Sequence, residues 1–170
     1  MATRREDELA FESFIRILHR RFRMPDGREA VWDLVDAPPT VAVLALTPDR
    51  DVVMVEQFRP GPERRVLSVP RGLVDEGETV SDAAARELRE ETGYAGRIEV
   101  LTSTHLNART RPHHVAVAWG CELVSEQSLD DFEDCTVVVM SLASVRRELR
   151  RGSLGAGVQT YLALDHLDLL

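Results

Sequence analysis

The sharpest pattern in the chain is a pair of uninterrupted apolar runs, residues 41–46 and 52–55, separated by Thr47-Pro48-Asp49-Arg50. Runs of this length, bounded by turn formers, predict central strands buried on both faces. Residues 66–69 predict a further short strand, and 97–101, 114–121 and 136–140 read as extended. Residues 80–92 predict a helix instead, opened by Thr79 as N-cap with Asp82 three positions on, and stopped by Gly93 in a left-handed conformation. Two terminal helices are predicted at 142–150 and 157–167, with Gly152 ending the first. Upstream, 11–35 alternates apolar and polar positions (Phe14, Arg16, Leu18, Arg20, Phe22), breaks at Pro25-Asp26-Gly27 and resumes as an extended segment at 30–34. That is a β-hairpin pattern. An isolated hairpin is marginal in water, so it must lie on the main body or on a second subunit. Ala37-Pro38-Pro39 marks a stiff boundary, giving an arm at 1–36 and a domain at 37–170. Strands of mixed kind with helices before and after predict an α/β fold, an α/β/α sandwich with a mixed sheet plus the N-terminal β-hairpin.

A hydrophobic content of 44% in 170 residues is enough for a real core. No apolar run approaches a membrane span, and the opening segment lacks the apolar stretch of a signal peptide. Cys121 and Cys135 form no metal-type spacing and read as free thiols of a reducing cytoplasm. The net charge of −8 argues against nucleic acid as partner, and means that a polyphosphate must arrive with metal or meet local arginines. His113 and His114 are adjacent at a strand start, so they face opposite ways and cannot share one ion. Neither a GxSxG elbow nor a P-loop occurs.

The chemistry concentrates in the helix at 80–92. Glu87, Glu90 and Glu91 fall within one turn, so their carboxylates project to one side. Like charges so close require a compensating cation, and Mg²⁺, which prefers carboxylate oxygens, suits them, with Mn²⁺ a possible substitute. Around them stand Gly72, Glu78, Arg86, Glu87, Leu88, Glu90, Glu91 and Gly93. That set resembles, in register, the motif of the Nudix hydrolases: Gly, five residues, Glu, seven residues, then Arg-Glu-aliphatic-x-Glu-Glu-x-Gly-aliphatic. Only Tyr94 departs, standing at the final aliphatic position.

The resemblance implies a Nudix-type sandwich and a hydrolase cleaving a pyrophosphate bond with metal-activated water. It implies Glu87 and Glu91 as metal ligands assisted by Glu90, with the Arg71 carbonyl completing the shell. It further implies a metal-binding or base glutamate before the strand at 136, for which Glu133 is the candidate and Asp131 the reserve. Glu90 and Glu133 are thus the candidate catalytic carboxylates. Arg86 reads as structural, pairing with Glu78 or Glu90. Gln57-Phe58-Arg59 resembles a segment at the substrate mouth of the ADP-ribose pyrophosphatase branch; Arg59 there offers a fork to phosphate or merely caps a strand. Trp32 would stack on a nucleobase or pack at a dimer interface. The resemblance implies a nucleoside diphosphate derivative of ADP-ribose or NDP-sugar type as substrate, but Arg109 stands where ADP-ribose enzymes commonly carry a proline, which leaves ADP-ribose itself open. The alternatives are dinucleoside polyphosphates, coenzyme A or oxidised nucleoside triphosphates, and, in another class, a non-catalytic nucleotide sensor. The relatives' N-terminal strands imply a homodimer.

Overall fold

The computed structural model describes all residues except Phe14, Asp130, Phe132, Glu133 and the side chain of Arg5. The chain divides into two compact units, residues 1–39 with 105–112, and residues 40–104 with 113–170.

The second unit is built on the two apolar runs. They form β4 (Thr40–Leu46) and β5 (Val52–Arg59), in a mixed sheet of order β10-β5-β4-β9-β8, where β8 is Tyr94–Thr104, β9 His113–Leu123 and β10 Cys135–Met140. Strand β4 runs parallel to β9, and the other pairs are antiparallel. Both faces are covered, as the continuous apolar runs require. Val41, Val43 and Ala45 pack with Ala83, Ala84 and Leu88 of α1 (Val80–Thr92). Ala42, Leu44 and Leu46 point the other way, onto Val145 of α2 (Leu142–Arg150) and Ala163 and Leu164 of α3 (Gly157–His166). The unit is therefore an α/β/α sandwich with one apolar cluster on each face of the sheet.

Strands β4 and β5 pair only through Ala45↔Val53 and Leu46↔Val52 beside their turn, then part company. Beyond the fork β5 pairs with β6 (Arg64–Ser68), while β4 pairs with β7 (Arg71–Leu73). The segment between β6 and β7 enters the opening, where Val43 N–H donates to the Pro70 carbonyl at 2.9 Å. Strand β7 does not show as a strand in the sequence, because it has three residues, one of them glycine. Strand β8 begins at Tyr94, three residues before the extension read at 97–101.

The first unit contains the expected hairpin, β2 (Arg16–Arg23) on β3 (Glu29–Asp36), turning at 24–28 with Gly27 at φ +87°. A third strand, β1 (Thr3–Glu12), adds to it in antiparallel fashion. Its sequence hides it: charges occupy both faces, and two register shifts interrupt the alternation. What holds it is cross-strand pairing, the forked ion pair of Arg20 with Asp7 at 2.7 and 2.9 Å and the facing leucines Leu9, Leu18 and Leu34. Residues 105–112 join this unit, with Val35 N–H donating to Ala108 at 2.7 Å and Thr110 N–H donating to Val35 at 3.1 Å.

Leu88, with no exposed surface, is the side chain by which α1 grips the sheet. Leu88→Ala is expected to lower stability by about 2–5 kcal/mol, read as a lower urea midpoint at unchanged slope.

Candidate active site

Helix α1 starts as its sequence predicts. Thr79 accepts from Asp82 N–H at 3.1 Å and its hydroxyl donates to the Asp82 carboxylate at 2.6 Å, so Asp82 steadies the capping hydroxyl as well as answering the helix dipole. It ends at Gly93, φ +76°, whose N–H returns to Arg89 O at 2.7 Å. A side chain at 93 would be strained by its φ and would also come within 2.1 Å of the Ser125 carbonyl.

Between these ends the acidic groups close on one cation, Arg86. Its Nε and Nη2 take both oxygens of Glu78 at 3.0 Å; Nη1 donates to Glu87 at 2.8 Å and to Glu90 at 3.0 Å; Nη2 also reaches the Leu73 carbonyl at 2.9 Å. Five donated bonds to three carboxylates and one strand use the full fork of the guanidinium. The Glu78 fork, aided by Glu87 and Glu90, raises the Arg86 pKa despite partial burial. Reciprocally, Arg86 holds the Glu78 carboxyl below the usual carboxylate range. The pairing of Arg86 with Glu78 and Glu90 read from the sequence is present, and Glu87 shares it.

Gly72 lies directly beneath Glu87. A Cβ at 72 would stand 2.0 Å from the Glu87 carboxyl carbon, so the helix carboxylate can press on strand β7 only because residue 72 has no side chain. Glu91 meets the same strand one residue earlier, at Arg71. It is only 3% exposed, and its Oε2 accepts from the Arg71 backbone N–H at 3.0 Å, fastening the last helical turn to β7. Burial, and next the charge of Arg59, depress the Arg71 guanidinium, while Glu91 works in the opposite sense. Arg59, half-buried at the end of β5, thus brings a second positive charge toward the same strand. A cavity of about 510 Å³ opens beside Glu90, bordered by Arg86, Arg89, Ser125 and Ser128, within the size range of small-molecule sites.

The structure therefore gathers Glu87, Glu90, Glu91, Arg71 and Arg59 around β7 and α1. Trp32 stands on β3 in the first unit, 43% exposed and edge-to-face with Phe22 at 5.3 Å. Glu133 lies outside the described residues. Asp131 is exposed, and Asp134 forms an ion pair with Arg65. His113 shares a hydrogen bond with Thr40 at 2.7 Å.

The donors at α1 and β7 are all hard oxygens, carboxylates and a carbonyl, the set that suits a Mg²⁺-type ion rather than zinc. The packing of the Glu87 carboxylate on Gly72 is a tight approach of anion to backbone that fits such a group. Among the described residues no three His, Cys, Asp or Glu side chains converge into a ready cage, because Arg86 supplies the positive charge among Glu78, Glu87 and Glu90.

One contact of this region is invisible in the sequence. The Gln127 side-chain amide donates to the Glu91 carbonyl at 2.6 Å and to the Cys135 carbonyl at 3.2 Å. Within the acidic loop at 125–134 it looks like an ordinary solvated residue, and only the long-range pairing of α1 with β10 reveals it.

A family model of the NUDIX domain matches residues 36–156. The chain is 36% identical to an ADP-ribose pyrophosphatase of Bacillus subtilis (strain 168) over 121 residues, covering 70% of this chain and 65% of that protein. It is 41% identical to a methanol dehydrogenase activator of Bacillus methanolicus over 71 residues, 42% of this chain and 38% of that one. The chain thus spans less than two thirds of the length of either relative. A crystal structure of an ADP compounds hydrolase superposes with a TM-score of 0.79 at 20% identity, covering 99% of this chain and 97% of that one, which shows a shared fold.

Arg86→Met should cost on the order of 2–3 kcal/mol, between an exposed and a buried ion pair. Because the Glu78 carboxyl is depressed in the folded state, its contribution is full above the unfolded value of about 4.3 and fades as pH falls through the folded one. Denaturation at stepped pH checks this: the stability gap between wild type and Arg86→Met should narrow from pH 7 toward pH 3.

Proposed function

Since the chain belongs to the Nudix hydrolase family, we propose that it hydrolyses the pyrophosphate bond of a nucleoside diphosphate joined to a second moiety, of the ADP-ribose or ADP-sugar type, with Mg²⁺. The observation that carries this reading is the convergence of Glu87 and Glu90 on one guanidinium nitrogen above Gly72, with Glu91 tied to Arg71 alongside. The similarity to an ADP-ribose pyrophosphatase supports the substrate class. What is shared with the methanol dehydrogenase activator is confined to 71 residues, so the reading rests on the first relative.

Glu87, Glu90, Glu91 and the Arg71 carbonyl would hold the metal, with Glu133 as a further ligand or base. A divalent ion, when bound, neutralises phosphate oxygens and acidifies a water molecule. The chain's own residues do the remainder. Arg86 orients Glu87 and Glu90 by hydrogen bonds and anchors them to β7 through Leu73 O. Glu90, the most exposed of the three helix glutamates, borders the cavity and would accept a proton from water, a role its exposure supports. Arg59 and Arg71 bring positive charge where a diphosphate must lose its hydration. Trp32 offers an aromatic face to a base.

The first unit exposes Leu9, Phe11, Ile15, Val31 and Trp32. Apolar surface on a three-stranded sheet supports a homodimer formed through this unit. No helix among the described residues is long and apolar enough to cross a membrane; the proposed compartment is the cytoplasm.

A panel of ADP-ribose, UDP- and GDP-sugars, NADH, diadenosine polyphosphates, coenzyme A and nucleoside triphosphates with Mg²⁺, scored by product identity, tests the substrate class; AMP and ribose 5-phosphate from ADP-ribose is the expected result. Glu90→Gln and Glu91→Gln should each lower kcat by at least roughly 10²-fold while circular dichroism stays unchanged. Unchanged turnover in both removes the site. Light scattering should return twice the chain mass of 19.1 kDa; a monomer removes the dimer.

A further inference from the structure

The C-terminal end of α1 is held in an unusual way. The helix cannot satisfy its last carbonyls from within, and the loop that follows β9 returns to meet them. Ser128 N–H donates to Glu90 O at 2.9 Å, while Val124 and Ser125 N–H donate to Gly93 O at 2.9 and 3.2 Å. Between these, the Glu91 carbonyl receives the Gln127 amide at 2.6 Å and the Cys135 thiol at 3.8 Å. The same Gln127 nitrogen also donates to Cys135 O, at the first residue of β10. Gln127 therefore stands between the helix of the clustered glutamates and the strand that follows the acidic loop.

Glu91 is gripped at both ends. Its carboxylate accepts from Arg71 N–H on β7, and its carbonyl accepts from Gln127 on the other side. A carboxylate that must present an oxygen to an ion within tenths of an ångström needs its backbone held as firmly as its side chain. Cys135 cannot replace the amide, because a thiol is a weak donor. The two bonds from one –NH₂ also couple the last turn of α1 to the first residue of β10.

We propose that Gln127 is a positioning residue for the metal site, fixing the Glu90–Glu91 turn of α1 against the start of β10 so that their carboxylates are aimed together. This deepens the metal-dependent reading given above and rests on it. Gln127 touches neither the reacting atoms nor a carboxylate in the bonds it makes; it acts through two backbone carbonyls.

The test is Mn²⁺ binding to the full chain, followed by electron paramagnetic resonance of the free ion without substrate, for wild type, Gln127→Met and Gln127→Lys. Methionine keeps the length and removes the donor. Lysine restores a donor and adds a charge that a helix C-terminus favours. The expected result is a Kd for Mn²⁺ roughly tenfold weaker in Gln127→Met, the scale of lost outer-sphere partners, with Gln127→Lys within about threefold of wild type. With the best substrate of the panel, Gln127→Met should need more metal for half-maximal rate while the KM for the nucleotide stays within twofold. Wild-type Mn²⁺ affinity in Gln127→Met overturns the positioning role alone. Should Gln127→Met not fold, Gln127→Ser, too short to reach both carbonyls, decides in its place, and wild-type Mn²⁺ affinity there overturns the positioning role. Wild type that binds no Mn²⁺ overturns the metal-dependent reading and this inference with it.

Discussion

Carboxylates crowded onto one helical turn repel, and the fold of the second unit turns on what answers that repulsion. Here the answer is a guanidinium. Arg86 binds Glu78 from the preceding loop, Glu87 and Glu90 from its own helix and the carbonyl of Leu73 from β7, joining three pieces of chain through one planar group. An ammonium could not span those directions with matched geometry. The acidic turn is thereby kept folded and aimed at the strand beneath it, which a helix of the same charge in isolation would not achieve.

That strand exists because the sheet opens. Strands β4 and β5 pair only beside their turn, and the chain between β6 and β7 enters the gap. Gly72 sits at the point of closest approach, where any side chain would occupy the place of the Glu87 carboxylate. Backbone amide of Arg71, carboxylate of Glu91 and amide of Gln127 continue the line of contacts to β10. The two apolar clusters on either face of the sheet give this polar seam a rigid base, Leu88 on one side and Leu44 and Leu164 on the other.

What could be read from the amino acids divides along physical lines. Elements stated by local rules were legible: the 80–92 helix, declared by Thr79 and Gly93, and the buried strands, declared by unbroken apolar runs. The pairing of Arg86 with Glu78 was legible because loop and helix carry them eight residues apart. Elements stabilised by distant partners were not. Strand β1 depends on Arg20 and Leu18 across a register shift, and β7 depends on β4, thirty residues away. Gln127 has no local signature at all, since its role is written in the carbonyls it meets. The joining of 105–112 to the first unit depends likewise on Val35 and Asp36, about seventy positions earlier.

The central claim is that the acidic turn of α1 and the Arg71 carbonyl together receive a divalent ion. Crystals of the full chain soaked in Mn²⁺ and measured at the manganese absorption edge test it most directly. The account predicts an anomalous peak bounded by oxygens of Glu87, Glu90 and Glu91 and by the carbonyl of Arg71. An anomalous signal elsewhere, or none at saturating Mn²⁺, would contradict it.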